Sequence, residues 1–192
     1  MDKKIGLFWL RDDFRIVKND GLCEATRNHE EVVVFFLYKQ EAYKEQEAQK
    51  WWLSKSLENF QKKLNTLNIN LEIIETNSFK FFFDNLMKKK DFKIYWNKVY
   101  EPNYLKFDEY LLNNLNKQNI LFKRFRGNAL NEIDEIKKND GTPFKVFTPF
   151  WKNAEKYYLE KIPSKEKKIK KCKKKIHYFK NSIEPKKIIP KK

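Results

Sequence analysis

Glycine and cysteine are scarce in this chain, and both shortages exclude something. The 192 residues hold four glycines, at 6, 21, 127 and 141, none in G-x-G-x-x-G spacing. That argues against the glycine-rich phosphate loop of ordinary nucleotide-dependent dehydrogenases and kinases. Two cysteines, Cys23 and Cys172, are too few for a disulfide framework, and no Cys/His pair has metal-ligand spacing. Cys23 shares a predicted helix with His29 and reads as a small core residue rather than a nucleophile; His177 reads as solvated. Long apolar runs are also missing. No stretch of about 18 apolar residues exists to span a membrane, and MDKKIGLFWLRDD mixes charges into a short apolar run, unlike a signal peptide. The expected setting is the reducing cytoplasm.

Apolar residues at 41%, with 16% aromatic, suffice for the core of about one domain. Lysine and arginine number 42 against 26 acidic residues, a formal net charge of +16. From Lys152 to Lys192 there are 16 Lys and 4 Glu, so +12 of that charge lies in the last fifth of the chain. Such a segment attracts phosphate backbones or anionic lipid. The bland alternative is an incidental basic linker. Lysine outnumbers arginine 37 to 5, and 19 Asn and 15 Ile stand against 5 Ala, the skew of AT-rich coding. Both readings remain open at this level.

Short apolar strands alternate with amphipathic helices. KIGLFWL (residues 4–10), EVVVFFLY (31–38), INLEIIE (69–75), FKIYW (92–96) and NILFKRF (119–125) read as strands. Helices are predicted over 21–29, over 45–67 with Trp51, Trp52, Leu53, Leu57, Phe60, Leu64 and Leu67 at helical spacing, after a Ser78 cap, and over 102–116 behind Pro102. This alternation predicts an α/β fold: a Rossmann-like, doubly wound, five-stranded parallel sheet in the order 3-2-1-4-5. Residues 130–138 and 147–161 read helical. Beyond Pro163 the composition reads as a basic arm that builds no core. The expected divisions are 1–139 for the α/β domain, 140–162 for a connecting segment and helix, and 163–192 for a Lys-rich linker or tail.

Ligands of such a sheet sit beyond the carboxyl ends of the strands, at the switch point between the first and fourth. The loops there are 10–20 and 97–103. Asp12 and Asp13, flanked by Arg11 and Arg15, read as a loop ion-pair network rather than an acid/base dyad. Two segments exceed what a scaffold needs: FWLRDDFRIVKNDGL (8–22), and DGTPFKVFTPFWKNA (140–154) with paired Thr-Pro units among its aromatics.

These segments carry a family resemblance. FWLRDDFRIVKNDGL resembles the opening signature of the DNA photolyase/cryptochrome family, with Trp9, Arg11, Asp13, Arg15, Asn19 and Leu22 in register. KWWLSKSLENFQKKL (50–64), YWNKVYEPNYLKFD (95–108) and GTPFKVFTPFWKNA (141–154) are similar to three further family segments, in the family's order. The resemblance implies an N-terminal antenna domain that carries a folate or deazaflavin chromophore. It also implies a helical FAD-binding domain, expected on a partner chain, with damaged DNA met through the assembled enzyme and no membrane involved. This chain alone would then have no repair activity. Antenna contacts are implied at Arg11, Lys50, Glu101, Asn103 and Tyr104, with no catalytic or metal site. Lys50 stands where many relatives have arginine, Tyr104 where folate-binding relatives place glutamate. Lys18 and Phe107 replace an aspartate and an arginine of the family pattern. A different class of function stands beside this one: a stand-alone nucleotide- or nucleic-acid-binding module, or an inactive fragment. If the flavin domain is a separate partner, Phe144, Phe147, Phe150 and Trp151 should include solvent-facing side chains.

Overall fold

The computed structural model describes residues 4–43, 46–129, 132, 135–160 and 168–189. They fall into two compact units, Met1–Gly127 with Lys167–Lys192, and Asn128–Glu166.

In the larger unit, strands β1 (Ile5–Leu10), β2 (Val32–Tyr38), β3 (Asn70–Glu75), β4 (Phe92–Asn97) and β5 (Phe122–Phe125) alternate with helices α1 (Asp20–Asn28), α2 (Glu47–Thr66), α3 (Phe79–Leu86) and α4 (Pro102–Lys117). The sheet order is β5-β4-β1-β2-β3-β6, and the first five strands pair parallel, as the alternation predicts. Because side chains alternate along a strand, each strand feeds two cores. Phe8, Val34, Phe36 and Tyr95 point to one face, against Leu22 and Ala25 of α1 and Leu57, Phe60 and Leu64 of α2. Leu7, Trp9, Phe35 and Trp96 point to the other, against Phe83 of α3 and Leu111 and Leu115 of α4. Helices on both faces of a parallel sheet follow from that split.

Helix ends are set locally. Asn19 accepts from Leu22 N–H to cap α1, Ser78 accepts from Phe81 N–H to cap α3, and Pro102 opens α4. The left-handed positions behind α2, α3 and α4 go to Asn68, Lys90 and Asn119, with φ of 56°, 56° and 55°. Glycine would usually stand there. Gly21 and Gly127 serve close approach instead: a Cβ at Gly21 would meet Asn97 Oδ1 at 2.5 Å, and one at Gly127 the Lys98 carbonyl oxygen at 2.0 Å.

Two expectations are corrected. The spacing puts Trp51 and Trp52 on the apolar face of α2, but they are 50% and 68% exposed, and Lys50 and Ser54 take the inward positions with Leu57, Phe60 and Leu64. The basic arm is also no free arm. Residues 168–189 return to the larger unit, with Cys172 and Ile188 buried in one core and Ile176, Tyr178 and Phe179 against the other. They add a sixth strand, β6 (Ser182–Ile183), antiparallel on the edge of β3. The sheet therefore has six strands, not five. The physical reason is the edge of β3, whose unpaired backbone is covered by this return. Beneath it lies Glu72, fully buried, whose carboxylate accepts from Tyr178 N–H (3.1 Å) and Phe179 N–H (2.8 Å). His177, expected to be merely solvated, keeps an exposed ring but lies 2.8 Å from Asn70 Nδ2 and 3.1 Å from Glu72 Oε1.

In the smaller unit, helix α5 (Phe147–Glu160) follows a turn in which Asp140 accepts from Thr142 N–H at 2.9 Å. Phe147 stacks on Trp151 at 6.2 Å; the two are 71% and 40% exposed, while Phe144 and Phe150 are half-buried. The helix expected over 130–138 falls partly on 130, 131, 133 and 134, outside the described residues; 135–138 is turn and irregular chain. Positions 163–167 of the expected tail also lie outside them.

Candidate functional site

A cleft of about 520 Å³ opens at the carboxyl ends of β1, β2 and β3 and the start of α4. It lies at the switch point, where the chain passes from β1 outward to β2 on one side and to β4 on the other. Aromatic rings form its walls. Trp9 meets Phe79 edge-on at 5.8 Å and Phe107 at 5.9 Å, and Tyr104 faces Phe79 at 6.3 Å. The Arg11 guanidinium sits 4.7 Å from the Trp9 ring and 5.4 Å from the Tyr104 ring, in cation–π range.

Arg11 is held from below. Its terminal nitrogens donate to Asp108 at 3.0 and 3.3 Å and to the Asn97 carbonyl at 2.5 Å. Asp108, fully buried, also accepts from Trp96 Nε1 (3.2 Å) and Arg124 (3.4 Å). Burial pulls the Arg11 pKa below its ordinary value, and Asp108 opposes that pull. Arg11 Nε is buried without a hydrogen-bond partner among the described residues. The loop network reads as expected in kind but not in pairing. Asp13 accepts from Arg15 Nε (2.7 Å) and Asn97 Nδ2 (3.0 Å), whereas Arg11 turns to Asp108, 97 positions away. Asn97 Nδ2 reaches Asn19 as well, so one knot ties β1, α1, β4 and α4 under the cleft.

Carboxylates line the rim. Glu101 is the residue before α4 and makes no side-chain cap bond. Asp12 has its pKa raised, first by partial burial, then by the charge of Glu101, with Arg11 pulling it back. Of the residues implied by resemblance, Arg11, Glu101, Asn103 and Tyr104 all line this cleft. Lys50 does not: it is buried in the first turn of α2, and neither the cleft nor the neighbouring open groove of about 780 Å³ beside Trp51 and Trp52 is lined by it. Sequence reasoning missed Lys39, Asn77, Ser78, Phe79 and Lys80, which line the opposite wall. The signal was available, since every strand of a parallel sheet ends at that same side. Among the described residues there is no cluster of three or more metal-ligating side chains, and no helix is long and apolar enough to cross a membrane.

The sheet order and the cleft at its switch point define an α/β domain of the doubly wound class. The chain belongs to the DNA photolyase family, whose model matches residues 6–168. It is 26% identical over 149 residues to the deoxyribodipyrimidine photo-lyase of Agrobacterium fabrum, covering 78% of this chain and 31% of that protein. It is 28% identical over 165 residues to Cryptochrome-2 of Arabidopsis thaliana, covering 84% and 27%. The solved class III photolyase of Agrobacterium tumefaciens superposes with a TM-score of 0.79 at 22% identity, over 100% of this chain and 40% of that one. A Synechocystis cryptochrome gives 0.76 at 16% identity, over 97% and 40%. These structural likenesses establish the fold. The chain spans about a third of the curated relatives it matches.

Proposed function

We propose that this domain is a light-harvesting antenna unit: it holds a planar chromophore, a folate or a deazaflavin, in the switch-point cleft. The chromophore would pass excitation to a flavin-binding helical domain on a partner chain, which would act on damaged DNA. The observation that carries this reading is the cleft itself. Its volume falls within the roughly 300–1,000 Å³ of small-molecule sites, and it joins aromatic walls to a few convergent polar groups. Rings Trp9, Phe79 and Tyr104 would hold a heteroaromatic plane. Arg11 Nε would donate to it, and Glu101 with Asn103 would meet its amide and amino edge. Lys50 would act only through the position of α2. When bound, such a chromophore supplies near-ultraviolet absorption; the protein's part is position and exclusion of water. A solved archaeal photolyase from Sulfolobus tokodaii, described with two FAD molecules and a novel light-harvesting cofactor, superposes at a TM-score of 0.69.

The test is to titrate the purified chain with a reduced methenyl folate and with a deazaflavin, following chromophore absorption and tryptophan fluorescence. Saturable one-to-one binding of either is expected, weakened roughly ten- to a hundredfold by Glu101→Ala, the loss of one hydrogen bond to a charged group. If neither chromophore binds, or if Glu101→Ala and Tyr104→Ala leave binding unchanged, the reading fails.

A further inference from the structure

The end of the sheet opposite the cleft has a character of its own. There the returning segment passes beneath the starts of β2, β3 and β4 and is bonded along its backbone. Lys170 N–H donates to Thr26 Oγ1 (3.1 Å), Cys172 N–H to the Leu67 carbonyl (2.9 Å) and Lys173 N–H to the Glu30 carbonyl (3.1 Å). Asn68 Nδ2 donates to the Cys172 carbonyl (3.1 Å), and Glu72 takes the N–H groups of Tyr178 and Phe179 further along. Ile169, Cys172, Ile176 and Phe179 turn into the two cores. The residues left outside are Lys168, Lys170, Lys171, Lys173, Lys174, Lys175 and Lys180, all exposed. Lys89 joins them from the turn after α3, its ammonium 4.4 Å from the Tyr178 ring.

We propose that this face is a phosphate-backbone contact surface, binding nucleic acid without regard to base sequence or damage. Eight lysines lie along it, against the neighbouring acids Glu30, Glu31, Glu72 and Asp91. Glu30 pairs with Lys173, Asp91 accepts from the Tyr178 hydroxyl at 2.5 Å, Glu31 lies beside Cys172, and Glu72 is buried. Lys168, Lys170, Lys171, Lys174 and Lys180 have no ion-pair partner among the described residues. Here the backbone is already ordered, so a polyanion meets preset charges and less ordering entropy is lost on binding. Lysine is a point charge without arginine's fork, which suits phosphates and gives no base readout. A lipid surface is the poorer partner, because surface-lying segments insert apolar side chains and those of this segment face the core. The segment reaches at most about 40 Å, which limits the footprint to roughly one turn of duplex.

This inference does not rest on the antenna reading; a chain that binds duplex but no chromophore would sink only the latter. The measurement is fluorescence anisotropy of an undamaged labelled duplex two helical turns long, with the full chain, across about 50–200 mM salt. Charge reversal at Lys170→Glu, Lys171→Glu and Lys174→Glu together is expected to weaken binding about tenfold or more and to reduce the salt slope by about 3. Reversal of Lys55, Lys106 and Lys117 to Glu alters net charge equally on other surfaces and is expected to change affinity less than about threefold. Lys→Gln at the same three strap positions should fall between, keeping the native circular dichroism spectrum. Equal losses in the two triple variants, binding without salt dependence, or tighter binding to phosphatidylserine vesicles than to the duplex would each overturn the proposal.

Discussion

Replacing Asp108 by asparagine removes the negative charge that touches Arg11 inside the protein. The two side chains are 0% and 3% exposed and 3.0 Å apart. At an effective dielectric of about 20, opposite charges about 4 Å apart attract by about 4 kcal/mol. Breaking a buried pair on one side costs about 3–5 kcal/mol, because the remaining charge stays desolvated. The new side-chain amide would also aim an N–H at donors, since Trp96 Nε1 and Arg124 converge on the same carboxylate. Against a total stability of about 5–15 kcal/mol, the variant should melt roughly 6–20 °C lower, at about 2–4 °C per kcal/mol for a chain of this size. Urea unfolding followed by tryptophan fluorescence and far-ultraviolet circular dichroism measures it. The double variant Arg11→Met with Asp108→Leu leaves no orphan charge and loses only the Trp96, Arg124 and Asn97 partners, about 1–3 kcal/mol. It should therefore be more stable than Asp108→Asn alone. A loss under about 1 kcal/mol for the single change, or a double variant as unstable as the two singles summed, would refute the buried-pair argument.

Three further outcomes follow from the same geometry. Asp12 has a folded-state pKa raised above its ordinary 3.8, so folding favours its protonated form and stability falls as pH rises through that window. Asp12→Asn should accordingly be more stable than the parent at pH 7, with the difference vanishing below the ordinary value; a parent more stable at pH 7 would contradict the sign. Cys172 is buried and its thiol is pushed up to about 11, so it should resist aromatic disulfide reagents at pH 8. Glu72→Gln, weakening the bonds to Tyr178 and Phe179 N–H by about 1.5–3 kcal/mol, should speed its labelling, and an unchanged rate would show that the strap is held elsewhere. Lys90, in left-handed backbone behind α3, should gain about 0.5–1 kcal/mol on Lys90→Gly, read as a higher urea midpoint.

Features governed by neighbours along the chain are legible in its residue pattern. The strand–helix alternation, the order of the five parallel strands, the cap at Ser78 and the proline at the start of α4 are consequences of local pattern and of handed connections. Four of the five site residues implied by the signature segments line one cleft, because the signature lies on loops at one end of the sheet. Lys50, implied by the same resemblance, does not join them: helical phase turns it inward on α2 and puts Trp51 and Trp52 outside.

The sequence alone determined the α/β class, the parallel sheet and the end at which a ligand site forms, since period and connection handedness are encoded within stretches of ten or twenty residues. Tertiary structure alone decided the rest. That Arg11 pairs with Asp108 rather than with Asp12 or Asp13 is a contact across 97 positions. That Glu72 is buried with its carboxylate bonded depends on the return of a segment more than 100 positions away. And the lysine-rich segment folds back because Ile169, Cys172, Ile176, Tyr178, Phe179, Ile183 and Ile188, hidden among its charges, find core positions and an open strand edge to cover. Burial and pairing at such distance are properties of the assembled surface, and no local pattern of residues carries them.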